Sequence, residues 1–301
     1  MRQKQLAGFG LAFLGAILFS SKAVFIKLAY QYEVDPVTLL SLRMLFSLPF
    51  FVGTLFFQSY EEEKRTFKWK DWLGLASFAI MGYYLASLMD FIGLQYLTAS
   101  LERVLLFIYP TFVILLSALF LRKRITLIQL AALAITYAGI LIIFYEKLHI
   151  NWDTMLIIGA LWVIGAAITY AGYMVGSEFY MRRMGSVKFT ALAMTIACST
   201  VVFHYSAVNG SLQIFQLPLP VYGYVLLIAI FATVIPSFLI SEAISRIGAG
   251  SVSIVSSIGP VSTMVLAYIL LAERYTFWQI TGTLVVIGGI LLITLMKEKT
   301  K

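Results

Sequence analysis

The chain has 301 residues, is 61% hydrophobic and 12% charged, and carries a formal net charge of +8. Such a composition excludes an ordinary soluble domain, and a single cysteine, Cys198, excludes an intrachain disulfide. His149 and His204 stand alone with no metal-ligand spacing, and no GxxxxGK[ST] stretch offers a P-loop, so neither a metal nor a nucleotide cofactor is expected.

A bilayer core about 30 Å thick needs about 20 mostly apolar residues in helical form. Ten apolar runs meet that need: 6–30, 36–58, 72–97, 99–121, 125–145, 154–181, 187–208, 221–243, 247–271 and 277–296. They are too long and too continuously apolar for barrel strands, which alternate over about ten residues. Each is therefore predicted to be a helix. The first run follows Arg2 and Lys4 but is too long for a signal-peptide h-region and lacks a small-x-small cleavage site, so it reads as a retained helix. The expectation is an all-α integral membrane protein of ten transmembrane helices.

Charge orients it. With the N-terminus inside, 16 of the 22 Lys and Arg fall in cytoplasmic segments, against Lys147 and Arg274 outside. This bias places both termini in the cytoplasm of a cell (inner) membrane. The basic excess is thereby accounted for without nucleic acid.

In chain order, Lys22 lies about 10 Å below the outer end of the first helix, at 1.5 Å per residue. A lysine there needs a partner or a wet cavity, whereas Lys27 can snorkel. Pro36 opens the second helix as a first-turn proline does, and Arg43 sits at a depth like that of Lys22. The mixed-charge stretch 61–71 is a solvated loop. In the third helix Tyr83 and Tyr84 are central, and Asp90 is about two turns from the outer end, at about 3.6 residues per turn. Glu102 and Arg103 open the fourth helix. An acid at a helix N-terminus suits the dipole; an arginine there has no such reason. Pro110 removes a backbone hydrogen bond at mid-membrane. The fifth helix is uncharged after Arg124 and carries Ala138-Gly139, a packing or dimer face. The sixth presents Gly165, Thr169, Gly172 and Gly176 as a stripe of small residues, with Trp162, Tyr170 and Tyr173 beside it. Glu178–Arg182 and Glu242–Arg246 are i, i+4 pairs at inner ends. His204 belongs to the outer part of the seventh helix, and Pro236 interrupts the eighth.

One offset runs through this order. Pro110 and Pro260, Arg124 and Arg274, Gln129 and Gln279, and Gly139 and Gly289 are each separated by 150 positions. That is an internal repeat, dividing the chain into 1–147 and 148–301. Five helices per half is an odd number, so the second half inserts upside down. Inverted repeats point to a transporter whose site lies at their interface near the midplane. Pro110 and Pro260 are the matching hinge candidates. Lys22, Arg43, Asp90, Glu102 and Arg103 fall in the outer half, yet their partners are Gly172, Ala193, Ile240, Val252 and Ser253, all uncharged. These five, with the aromatics Tyr83, Tyr84, Trp162 and Tyr173, are the candidates for a solute site or gate. A buried structural network is the competing account of the charges.

The stretch AGSVSIVSSIGPVSTMVLAYILLAERYTFWQITGTLVVIGGILLI near the C-terminus, and PVTLLSLR with the preceding FIK, resemble the EamA family of the drug/metabolite transporter superfamily. The resemblance covers essentially the whole chain as two five-helix units. It implies a secondary carrier with a central cavity between helices one to four and six to nine, with helices five and ten peripheral. Members are often exporters of amino acids, other metabolites or toxic compounds. Two departures stand out: Arg122-Lys123-Arg124 replaces the acidic turn in the first half, and Lys22 stands where a small polar residue is commoner.

The function expected is secondary active export of a small polar metabolite, amino-acid-like or an organic anion, by alternating access. A proton is the candidate coupling ion, lipid is the surrounding partner, and monomer and homodimer are both open. The rival readings are a non-transporting receptor or scaffold and an integral-membrane enzyme. The enzyme would need a catalytic cluster that this residue inventory does not assemble.

Overall fold

A computed structural model describes residues 2–58, 68–121, 125, 127–150, 154–209, 212–256 and 258–298, and every regular element among them is helical. Helix α1 (Arg2–Tyr30) leads through a short turn to α2 (Pro36–Gln58). Next, α3 (Trp69–Ala79) widens into a π turn at Ile80–Leu85 and continues as α4 (Ala86–Tyr96). The following span is broken into α5 (Ala99–Leu106) and α6 (Tyr109–Leu121). Then come α7 (Leu127–Ile150), α8 (Thr154–Met184) and α9 (Ser186–Asn209). After a 3-10 turn, α10 (Leu219–Ala229) passes through a second π turn, Ile230–Val234, into α11 (Ile235–Ser256). Helices α12 (Ile258–Leu271) and α13 (Phe277–Glu298) end the chain. Seven described stretches are long and apolar enough to cross a membrane, and 134–143, 258–271 and 277–289 are shorter apolar helices.

Local chemistry sets the boundaries. Asp35 Oδ1 accepts from Thr38 N at 2.9 Å ahead of Pro36, and Thr98 Oγ1 accepts from Leu101 N at the start of α5. Gly185, with φ +83°, turns α8 into α9 in a backbone region open to glycine. One boundary differs from expectation. The eighth and ninth runs divide at 244–246 by composition, but α11 continues to Ser256. Ser245 Oγ returns to Glu242 O at 2.9 Å and Arg246 Nε to Glu242 Oε1 at 2.7 Å, reaches that a helix accommodates, and no proline intervenes before Pro260. The Arg122-Lys123-Arg124 turn, positions 61–67 and the side chains of Glu178 and Arg182 lie outside the described residues.

Packing follows the small residues. The stripe on α8 receives side chains of α3, the first π turn and α4: an added Cβ at Gly176 would meet the Phe78 ring, at Gly172 the Met81 thioether, and at Gly165 Met89 Sδ at 3.1 Å. Helix α7 lies along α13, with Gly139 facing Gly282. The packing face expected on the fifth helix is thus occupied within the chain. Helix α2 packs on α9, α1 on α11 and α12, and α8 on α4, α5 and α6. Shifting residue numbers by 150 carries α1 onto α8 and the α4–α6 stretch onto the α11–α12 stretch. The two π turns, beginning at Ile80 and Ile230, keep the same offset.

Candidate functional site

A cavity of about 80 Å³ lies among α1, α2, α4, α5, α8 and α11, where the first π turn meets the broken α5–α6 span. Lys22, Arg43, Tyr83, Asp90 and Arg103 line it. Glu102 is fully buried just behind, at the start of α5. Six of the nine candidates therefore lie at one locus, drawn from α1, α2, the π turn, α4 and α5. Tyr173 stands directly behind Tyr83: the hydroxyls are 3.2 Å apart and the rings meet edge-on at 4.8 Å. Tyr84 and Trp162 are not brought there. Tyr84 turns the other way to His204, its hydroxyl 2.9 Å from Nδ1, and Trp162 is 37% exposed on the bundle surface.

Each charged group is held differently. Lys22 Nζ donates to Asp90 Oδ2 at 2.5 Å, both side chains being almost wholly buried. Arg43 Nε donates to Thr233 Oγ1 at 2.8 Å, Nη1 reaches Ser87 Oγ at 3.4 Å, and the guanidinium lies 5.5 Å from the Phe91 ring. Arg103 Nη2 donates to Ser20 Oγ at 3.0 Å, while its buried Nε has no partner. The Phe19 ring serves two cations, Lys22 and Arg103, each 5.1 Å from its centroid. Among the described residues, Lys22 has a carboxylate partner and the two arginines have none.

Sequence reasoning missed Phe19, Ser87, Tyr109 and Ser237, which also line the cavity. Ser87 and Ser237 are 150 positions apart, so the repeat itself offered that signal. Phe19 carries none: one phenylalanine in an apolar helix looks like any other.

Hydrogen bonds tie the start of α5 to the segment that follows α12. Glu273, which follows α12, accepts from the first-turn Ala99 N of α5 at 2.9 Å and from Ser100 Oγ at 2.8 Å. Tyr275 OH lies 2.7 Å from Ser100 Oγ and donates to Met264 O at 2.9 Å. Burial pushes the Tyr275 hydroxyl up to about 12, against a lowering by the Ser100 hydrogen bond, so it stays a donor at neutral pH. Ala272, at φ 52°, closes α12 in left-handed geometry and aims Glu273 back at α5. At the other end, Asp71 pairs with Arg183 at 2.9 Å, and Glu242 accepts from Ser186 Oγ at 2.9 Å. Among the described residues no group of three His, Cys, Asp or Glu converges as a metal site would require.

Comparison with known proteins gives this geometry its context. The EamA-like transporter family matches the chain twice, over residues 6–145 and 157–295. An uncharacterized transporter of Bacillus subtilis, YcbK, is 31% identical over 96% of this chain and 91% of its own. An uncharacterized transporter of Archaeoglobus fulgidus is 26% identical over 88% of this chain and 92% of its own. An uncharacterized inner membrane transporter of Salmonella typhimurium, YicL, is 25% identical over 75% and 74% respectively. A solved crystal structure shares the fold with a TM-score of 0.70 at 15% identity, over 97% of both chains. With the family matched in both halves and a relative above 30% identity along nearly its full length, the chain belongs to the EamA-like transporter family and is a multi-pass membrane transporter.

Proposed function

We propose that the protein is a secondary carrier that exports a small carboxylate-bearing metabolite, an amino acid or organic anion, by alternating access. The observation that carries this reading is the pair Arg43 and Arg103. Both line the cavity, both are buried, and among the described residues neither is within ion-pair distance of a carboxylate. Buried cations with no directly paired carboxylate are costly, and an anion that joins them lowers that cost. A guanidinium fork suits a carboxylate, and Tyr83, Tyr109 and Tyr170 offer ring faces and hydroxyls for the rest of a small solute. A volume of about 80 Å³ is well under the roughly 300–1,000 Å³ of occupied ligand pockets. It fits a closed step of the cycle.

The same reading takes 1–147 and 148–301 as two inverted five-helix repeats of a ten-helix carrier in the inner membrane, with both termini cytoplasmic. Its supports are the 16-to-2 charge bias, the shared 150-residue offset of both π turns and both prolines, and the inner-membrane relative. Glu273 and Tyr275 then close the outer end.

Purified protein in liposomes loaded with radiolabelled L-alanine, L-glutamate, pyruvate or succinate tests this. Efflux of at least one carboxylate, lost in Arg43→Gln and Arg103→Gln, is expected. Equal flux in parent and both variants overturns the role of the arginines.

A further inference from the structure

Glu102 poses a question the carrier reading does not answer. It is 0% exposed, and neither carboxyl oxygen receives an N–H or O–H. What lies within its hydrogen-bonding reach is another carboxyl, that of Asp90. Asp90 commits Oδ2 to Lys22, and its Oδ1 is likewise buried without a donor. Two ionised carboxylates offer acceptors only. A hydrogen bond between them needs one proton, and leaving both charged, dry and adjacent costs far more than holding it. The Lys22 ammonium already holds Asp90 as the anion. The proton therefore resides on Glu102, whose O–H donates to Asp90 Oδ1.

We propose that the Asp90–Glu102 pair is the coupling-proton site, and that its proton crosses the membrane together with the anionic solute. This rests on the carrier reading above. The groups facing the pair are Lys22 and Tyr30 from α1, Arg43 from α2 and Arg103 from α5. With the proton in place, Lys22, Arg43 and Arg103 face one anion, Asp90. Without it they face two. The protonated set attracts a carboxylate solute more strongly, and by linkage the bound solute holds the proton more tightly. Each therefore favours the other, which is the condition for movement in one direction together; export then carries the proton outward and is driven by the outward gradient of the solute itself. The path is short: Glu102 does not line the cavity but Asp90 does. The proton passes from Glu102 to Asp90 Oδ1 and from there to cavity water, leaving Glu102 as the carboxylate.

Glu102→Gln tests this because its amide N–H still donates to Asp90 while no proton can leave. In purified parent protein at neutral pH, infrared spectroscopy is expected to show the carbonyl stretch of a protonated carboxyl, and Glu102→Gln removes it. In liposomes holding a trapped pH dye, movement of L-alanine, L-glutamate, pyruvate or succinate by the parent carries protons the same way. That proton flux falls at least tenfold in Glu102→Gln, and the solute exchange that remains is flat with pH. Absence of the band in the parent, or its persistence in Glu102→Gln, overturns the site. Solute movement by the parent without protons overturns the coupling and leaves the carrier reading intact. Failure of every solute to move sinks the carrier reading and the coupling with it, while the infrared band still decides where the proton sits. If Glu102→Gln does not fold, Glu102→Asp replaces it: a displaced band supports the assignment and an unmoved one overturns it.

Discussion

Arg43 on α2 donates to Thr233 in the second π turn, 2.8 Å away and 190 positions along the chain. The Thr233 hydroxyl in turn donates to Ile228 O, five residues back, at 2.8 Å. A π turn leaves room for such a reach. The arginine is thus aimed by a distortion of the helix it touches, and Ser87, just past the first π turn, takes the other side. Thr233→Val keeps the shape and removes both bonds. A buried donor left unpaired costs about 1–3 kcal/mol, so the thermal midpoint should fall and carboxylate flux should drop about tenfold for each 1.4 kcal/mol lost from solute binding. Thr233→Ser should retain most of both. Parent-like flux and melting in Thr233→Val would show that Arg43 is positioned by other contacts.

Lys22 and Asp90 form a buried ion pair, with both side chains almost wholly out of solvent. Breaking a buried pair by removing one partner costs about 3–5 kcal/mol, whereas removing both is far milder. Lys22→Gln and Asp90→Asn should each lower folded yield, and the double variant should melt above either single one. A double-mutant cycle on thermal midpoints checks this. Strict additivity would mean that the two groups do not act as a pair. Restored folding without restored flux would assign the pair to transport as well as to structure.

Much of this was legible in the sequence, for identifiable reasons. Apolar runs fix spans because a bilayer leaves backbone groups no partner outside a helix. The α2 bounds fall where Pro36 and the last apolar residues put them. Charges within apolar runs are rare enough that Lys22, Arg43, Asp90 and Arg103 announced themselves, and they converge on one cavity. The π turns were not legible. Nothing in IMGYYL or IFATV marks an i to i+5 turn, and the wider turn is seen only against its neighbours, as Gly82 is against the Tyr173 ring. Side-chain direction was also hidden. Adjacent residues on a helix point about 100° apart, so Tyr83 and Tyr84 take opposite surroundings.

The α7–α13 contact gives a prediction away from the site. At Gly282 an added Cβ would lie 2.5 Å from Ile143 Cγ1 and 2.6 Å from Gly139 O. Backbone cannot yield as a flexible side chain does. Gly282→Val should force the helices apart and cost about 1–3 kcal/mol as overpacking. Detergent-solubilised protein should melt lower while solute affinity per folded molecule is unchanged. An unaltered melting curve would mean that this crossing contributes nothing to the fold.

The tie at the α5 end has a pH signature. The Tyr275 hydroxyl is raised from 10.0 to about 12, first by burial. The folded state therefore holds that proton when the unfolded chain has lost it. Stability from the tie is complete below about 10 and declines as pH rises towards about 12. Tyr275→Phe should melt lower than the parent at neutral pH, because the Ser100 and Met264 contacts are gone, and the gap should narrow across that alkaline window. A gap that is constant with pH would place the tyrosine proton outside the fold's energetics.

Pro110 is the second residue of α6, so it stands just past a helix break and not in the middle of a helix, and Pro260, its counterpart 150 positions on, is the third residue of α12. A proline there costs little, since the first-turn N–H groups lack helical partners in any case. Its effect falls on the preceding segment. Pro110 offers no N–H to Leu106 O, and Phe107, at φ −71° and ψ 7°, turns out of the helix. Leu106 and Phe107 both line the cavity. A hinge at this break would let α5, carrying Glu102 and Arg103 and tied to Glu273, move separately from α6. Pro110→Ala restores the donor and favours one continuous helix. Its folded yield should match or exceed the parent's, while turnover should fall by about an order of magnitude, equivalent to 1.4 kcal/mol of barrier. Pro260→Ala, the matching change in the other half, should likewise lower turnover. Parent-like turnover in both variants would reduce these prolines to shape, and loss of folding in both would make the prolines structural requirements of the bundle.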